Sequence, residues 1–373
     1  MDFDFSDDQE EIRHAVARLL DGHTSFEKSH EMLDDSAGFD RDLWAAMAEG
    51  GWLAVTIPED YGGAGMGAVE LAVLAQEIGR TLAPIPFGAA QYLAIPALVE
   101  YGSASQKSAL LPDLASGQKI ITVALAEGAG FAPGDIAARV VDGKITGVKS
   151  PVADGGQADI ALVAARDETG APGLYVVDLK AKGVTAEPLD AMDPTRPQSR
   201  ITLSDAPADR LAGVDGAAID RLIDGAAVQV AFEQLGVAAR ALDISTEYAL
   251  ERTAFGRPIG GFQALKHRMA DMFAKIELAR SNAFFGAWAL AENDERLPEA
   301  AACARLTALD ACQFACEEAI QIHGGIGYTW VANPHLFLRR GWHLKAMLGP
   351  ATIWSERLVK SLNAPETMTE KAG

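Results

Sequence analysis

Residues 247–267 read EYALERTAFGRPIGGFQALKH. Two Pro/Gly breaks interrupt the helical texture on either side, so the stretch predicts a turn between two helices that carries a basic residue, an aromatic and an amide. Taken alone it is equally an ordinary αα-hairpin with surface charges. Working outward, Leu265, Met269, Met272, Phe273 and Ile276 trace one face of the following helix, and Pro298 stands where a first-turn proline opens the next. The helical period holds from about Ala217 to Asn363. Long amphipathic helices with short connections imply an antiparallel bundle.

Upstream the texture changes. Between about Gln118 and Ala206 the chain has short β-type runs at Ile120 to Ala126, Ala138 to Val148, Ile160 to Ala165, Leu174 to Leu179 and Arg200 to Leu203. Turn clusters such as Asp142-Gly143 and Asp154-Gly155-Gly156 separate them, which predicts a small sheet or barrel. No ten-residue helices alternate with these runs, and this argues against a doubly wound parallel sheet. From Ser6 to about Ser116 the pattern is again helical. Ser6 with Gln9 fits a capping box, Ile12, Val16, Leu19 and Leu20 recur behind it, and Leu43, Met47 and Leu53, then Leu71, Leu74 and Ile78, continue the spacing around a loop from Ile57 to Gly67. The expected fold class is α+β: a helical domain over 1–115, a middle β domain over 116–208 and a C-terminal four-helix bundle over 209–373.

Composition narrows the function. Of 373 residues, 49% are hydrophobic and 23% charged, an ordinary globular balance. With 52 acidic and 32 basic residues the formal charge is −20, which repels phosphate backbones and anionic lipid surfaces. Neither nucleic acid nor a membrane is an expected partner. Cys303, Cys312 and Cys316 are odd in number and fall in one stretch, suiting reduced thiols, and the start of the chain is acidic. A cytoplasmic location is expected.

The glycine runs at Gly62 to Gly67 and Gly324 to Gly327 lack the preceding strand of a βαβ unit, so they are not dinucleotide fingerprints. The histidines show no metal-ligand spacing, and Cys312 and Cys316 read as helix-face packing residues. Residues 321–330, QIHGGIGYTW, end a helix in glycines, where backbone groups become available to a ligand or simply cap the helix.

Four motifs in order carry a resemblance over almost the whole chain: GWLAVTIPEDYGGAGMG at 51–67, Glu77-Ile78-Gly79, and the 247–267 and 321–330 stretches around the middle β zone. Together they resemble the acyl-CoA dehydrogenase family of flavoproteins. The resemblance implies FAD extended across a subunit interface, an acyl-CoA substrate, an electron-transfer flavoprotein as acceptor, and a tetramer. Carried over, Arg252 would pair with the FAD pyrophosphate through its forked donors, Phe255 and Gln263 would pack and hydrogen-bond nearby, and Gln321, Gly324 and Gly325 would line the adenosine end.

The flavin end departs from the pattern. Family members commonly read something like TEPGAGSD where this chain has Ala126-Glu127-Gly128-Ala129-Gly130-Phe131, and Trp-Ile-Thr near Lys149-Ser150-Pro151-Val152. The α-proton of the thioester is normally taken by a glutamate. Aligning Arg357-Leu358 with the family's closing Arg-Leu places Gly349 or Pro350 at its usual position, and the minority position falls on Ala226 with Ala227 beside it. The catalytic base is thus unassigned. Asp224 and Glu233 are the nearest acids on the same helix, and Glu233 reads as a hydrogen-bonded polar group of the bundle. The resemblance therefore implies an acyl-CoA dehydrogenase with an unplaced base, a homotetramer, or the catalytically incomplete subunit of a heteromeric enzyme such as those acting on steroid side chains. A flavin oxidase or monooxygenase of the same architecture is a further alternative.

Overall fold

The computed structural model describes residues 4–34, 38–128 and 130–363. Its N-terminal part is helical: α1 (Asp7–His23), α2 (Phe26–Asp34), α3 (Arg41–Glu49), α4 (Ala68–Thr81), α5 (Ile95–Tyr101) and α6 (Ala104–Ala115). The boundaries follow local chemistry. Ser6 and Gln9 form the expected capping box on α1, Asp40 accepts from the backbone of Asp42 and Leu43 at the start of α3, and Ser103 and Gln106 close a second box on α6. Each such cap is worth about 1 kcal/mol.

The middle part is a sheet of β1 (Ile121–Ala124), β2 (Arg139–Val141), β3 (Lys144–Ala153), β4 (Ile160–Arg166), β5 (Pro172–Asp178), β6 (Val184–Leu189), β7 (Gln198–Pro207) and β8 (Asp209–Arg210). Its order is β6-β7-β3-β2-β4-β5-β8, with β1 parallel to β4. Inward residues of the strands, including Ile145, Val163, Tyr175, Val177, Ile201 and Leu203, form a core of their own beside the main one. Two expectations need correction. The run Ala138 to Val148 is a hairpin, β2 and β3 folded at Asp142-Gly143, where Asp142 has φ +49° and Gly143 φ +70°. The exposed strand β6 was not anticipated, because its sequence VTAEPL offers no buried face to produce an alternating pattern.

The C-terminal part is helical. It consists of α7 (Gly216–Glu251), α8 (Gln263–Ala291), α9 (Leu297–His323), α10 (Pro334–Ala346) and α11 (Ala351–Leu362). Three long helices form the body of the bundle, shorter α10 packs as the fourth, and α11 lies against α9. On α8, Met272 and Ile276 are buried while Phe273 is 58% exposed, so Phe273 does not belong to the core face. Successive residues point about 100° apart around a helix, and the turn that carries Met272 into the core carries Phe273 out of it. By length and composition α7 is apolar enough to cross a membrane, but 94% of its apolar window is buried within the protein, which makes it the central core helix.

Helices α4 and α7 approach backbone to backbone. A Cβ at Gly236 would stand 1.9 Å from the carbonyl oxygen of Gln76, and one at Gly79 would stand 2.0 Å from that of Glu233. The Gly79 of the Glu77-Ile78-Gly79 motif is therefore a packing glycine.

Candidate functional site

The 247–267 stretch folds as a turn between α7 and α8. Helix α7 stops at Glu251, the two-residue strands Thr253–Ala254 (β9) and Arg257–Pro258 (β10) pair antiparallel, and α8 opens at Gln263. Arg252 is fixed through its backbone, donating N–H to Tyr248 and accepting from Ile259, each at 2.8 Å. The ring of Tyr248 stacks on His323, the last residue of α9, at 4.2 Å between centroids and 19° between planes. That contact brings the hairpin and the Gly324 turn to the same end of the bundle. Arg268 on α8 pairs with Glu318 on α9 at 2.8 Å beside them. Gln321 lines an open cleft of about 650 Å³ together with Arg268, Glu318, Tyr328 and Trp342.

Arg252, Phe255, Gln263, Gln321, Gly324 and Gly325 are all exposed, Phe255 at 95%. The side chains of Arg252, Gln263 and Gln321 make no hydrogen bond or ion pair among the described residues. Gly324 has φ +65°, a conformation that favours glycine, and nothing lies within 4 Å of a Cβ placed at Gly324 or Gly325. No other part of the described chain packs over these two glycines. An exposed guanidinium, two free amides and an open glycine turn form a donor set suited to phosphate oxygens and an adenosine edge.

In the segment that the resemblance places at the flavin, the polar side chains pair within the chain. Glu127 accepts from the Nζ of buried Lys149 at 2.6 Å and from the backbone N–H groups of Ala137 and Ala138 at 3.0 Å each. The hydrogen bonds from Lys149 and the backbone hold the Glu127 carboxyl below the usual range against the opposing effect of burial. Ala126 offers no hydroxyl, and Ala129 of the same segment lies outside the described residues. Phe131 is buried against Gly349, whose backbone lies in the left-handed region at φ +82°.

No carboxylate is free at the positions the resemblance assigns to the base. Ala226 and Ala227 are buried on α7. Asp224 accepts from Nη2 of Arg357 at 2.7 Å, and burial pushes its carboxyl up to about 6 although Arg357 opposes the rise. Glu233 is completely buried. Its carboxylate accepts from Arg196 Nη1 at 3.0 Å and from the Tyr92 hydroxyl at 2.9 Å, and Arg340 Nη1 lies 3.6 Å away. Arg340 also donates from Nε to Asp193 at 2.7 Å and from Nη2 to the Leu82 carbonyl at 3.0 Å. This buried cluster joins the N-terminal helices, the sheet region and the bundle. Sequence reading missed Arg196, Arg340 and Asp193 because each looks like a surface charge in its own stretch. The one local signal was Asp193-Pro194-Thr195, a turn in which Asp193 accepts the backbone N–H of Thr195.

Residues 6–118 match the acyl-CoA dehydrogenase N-terminal domain and residues 216–359 match the acyl-CoA dehydrogenase C-terminal domain. The chain belongs to the acyl-CoA dehydrogenase family, a family of FAD-using oxidoreductases. It is 36% identical over 354 residues to acyl-CoA dehydrogenase IpdE2 of Mycolicibacterium smegmatis, covering 92% of this chain and 96% of that one. Its structure is similar to a chain of a Tcur3481-Tcur3483 steroid ACAD variant, with TM-score 0.88 and 32% identity over 95% of this chain and 97% of the other. It is also similar to a chain of the ChsE4-ChsE5 complex from Mycobacterium tuberculosis, with TM-score 0.89 and 28% identity over 97% and 99% of the two chains.

Proposed function

We propose that this chain takes part in the α,β-dehydrogenation of an acyl-CoA thioester as one half of a heteromeric enzyme. In that assembly Arg252, Phe255, Gln263, Gln321, Gly324 and Gly325 hold the nucleotide end of an FAD whose flavin ring lies in a partner subunit of the same fold. The observation that carries this reading is the contrast between the two ends: an exposed, unpaired donor set at the hairpin, and no free carboxylate at the assigned base positions. The likeness to chains of two named two-component assemblies, one of them described as a steroid ACAD, supports it and favours a substrate with a steroid-like ring system.

Bound FAD supplies the hydride acceptor for Cβ of the acyl chain. The proton at Cα would go to a carboxylate that the partner contributes, since this chain's residues at the assigned positions are Ala226, Ala227, Gly349 and Pro350. An electron-transfer flavoprotein would be the electron acceptor of the assembly. On this chain, Arg252 neutralises pyrophosphate charge and Gln321 with the glycine turn orients the adenosine end. The three-domain division near residues 115 and 208, a heterotetrameric assembly and, from the reduced thiols, a cytoplasmic location complete the proposal.

The test is to purify the chain alone and with its partner subunit and record flavin absorbance during titration with short-chain and steroid acyl-CoA esters. The proposal expects flavin colour and bleaching only in the co-purified assembly. Bleaching by the lone chain would establish a homomeric enzyme and overturn it.

A further inference from the structure

Two loops carry the donors of the nucleotide site, and one aromatic contact joins them. The ring of Tyr248, in the last turn of α7, lies on the imidazole of His323 at the end of α9, with centroids 4.2 Å apart and planes at 19°. Each ring is tied to a site residue through the backbone. The Tyr248 carbonyl accepts the N–H of Arg252 at 2.8 Å, and the Arg252 carbonyl accepts that of Ile259 at 2.8 Å, which closes the hairpin. His323 Nδ1 donates to the Ala319 carbonyl at 2.7 Å and so fixes the plane of the imidazole, while the N–H of Gly324 caps α9 on the Gln321 carbonyl. Two motif glycines let the loops close around this pair. A Cβ at Gly327 would stand 2.7 Å from the Ile320 carbonyl oxygen and 3.1 Å from Cβ of His323, and one at Gly260 would stand 3.0 Å from the Ala249 carbonyl oxygen.

We propose that Tyr248 and His323 are positioning residues for the nucleotide site: their stack sets the span between the Arg252 hairpin and the Gln321–Gly324 turn. The inference rests on the reading that these donors share one FAD, and it names what holds them in register. The two rings are half-buried, whereas Arg252, Gln321 and Gly324 are exposed. The side chains of Arg252 and Gln321 have no partner among the described residues, so their placement depends on the backbones of the two helix ends. Overlapping rings constrain both distance and angle, which an aliphatic contact of similar size does not.

The test is the FAD dissociation constant of the reconstituted assembly in which this chain carries Tyr248→Phe, Tyr248→Leu, His323→Leu or the last two together, each measured well below the variant's own thermal midpoint. Tyr248→Phe keeps the stack and is expected to bind FAD as the wild type does. Each leucine variant is expected to weaken affinity by about threefold to thirtyfold without touching the ligand. The double variant is expected to bind no more weakly than the weaker single, because both substitutions remove the same contact. Arg252→Ala is expected to cost less affinity in the Tyr248→Leu background than in the wild type, a coupling that a merely structural role would not produce. Wild-type affinity in the leucine variants, additive losses in either combination, or a loss in Tyr248→Phe equal to that in Tyr248→Leu would overturn the proposal. If Arg252→Ala weakens FAD binding and the leucine variants do not, the positioning role alone fails; if Arg252→Ala itself changes nothing, the shared-nucleotide reading fails and this proposal with it.

Discussion

Glu233 and Arg196 form a fully buried ion pair, 3.0 Å between Oε1 and Nη1, across the boundary between the sheet region and the central helix of the bundle. Removing one charge of such a pair leaves the other desolvated and unpaired, which costs about 3–5 kcal/mol. Glu233→Gln is expected to lower stability by that order while the folded fraction of the assembled enzyme keeps its kcat. A loss of kcat of about 10²-fold or more in correctly folded protein, measured alongside unchanged circular dichroism, would instead make Glu233 a proton-transfer group. Tyr92→Phe removes only one neutral donor from the same carboxylate and is expected to cost about 1 kcal/mol.

The crossing of α4 and α7 depends on two missing side chains. At Gly236 a methyl group would meet the Gln76 carbonyl oxygen at 1.9 Å, and neither helix backbone has a flexible end that can move aside. Gly236→Ala is expected to destabilise the protein by about 1–3 kcal/mol or more through overpacking. Gly134, where a Cβ meets nothing within 4 Å, is the control: Gly134→Ala leaves the chemical-denaturation midpoint nearly unchanged.

Acid sensitivity follows from His343. Burial pushes this imidazole down to about 3, with the charges of Arg196 and Arg340 adding to the effect and Asp193 opposing it. The unfolded chain takes up a proton near pH 6.5 that the folded state refuses, so this group's contribution to stability is lost as pH falls from about 6.5 toward 3, by up to about 1.4 kcal/mol per pH unit. Asp154 and Asp224, both pushed up to about 6 by burial, act in the opposite sense: their contribution grows as pH falls from about 6 toward 4. His343→Asn isolates the first effect. Its denaturant midpoint relative to wild type is expected to improve progressively below about pH 6.5. A constant difference between pH 7 and about pH 4.5 would contradict the assignment.

The parts legible in the sequence were those whose reasons are local. The capping box at Ser6, the turn at 247–267 and the helix end at Gly324 each follow from residues within a few positions of one another, and the structure has all three. Reading Glu233 as a hydrogen-bonded polar group of the bundle also agrees with its partners Tyr92 and Arg196. What stayed hidden was long-range. Arg340 lies 147 residues from Asp193, and nothing in either stretch announces that both are buried. The contact of Phe131 with Gly349 was invisible for the same reason. Strand β6 was missed because an exposed edge leaves no periodic trace, and Phe273 was assigned inward because a run of apolar residues does not reveal which one faces solvent.

In the proposed function, this chain lends its hairpin guanidinium to a nucleotide held between two subunits. The most direct measurement is the FAD dissociation constant of the reconstituted assembly in which only this chain carries Arg252→Ala. Loss of one charge-assisted contact to phosphate predicts affinity weaker by about tenfold to a hundredfold, with the thermal midpoint of the apo assembly unchanged. FAD affinity equal to that of the wild-type assembly would contradict the account.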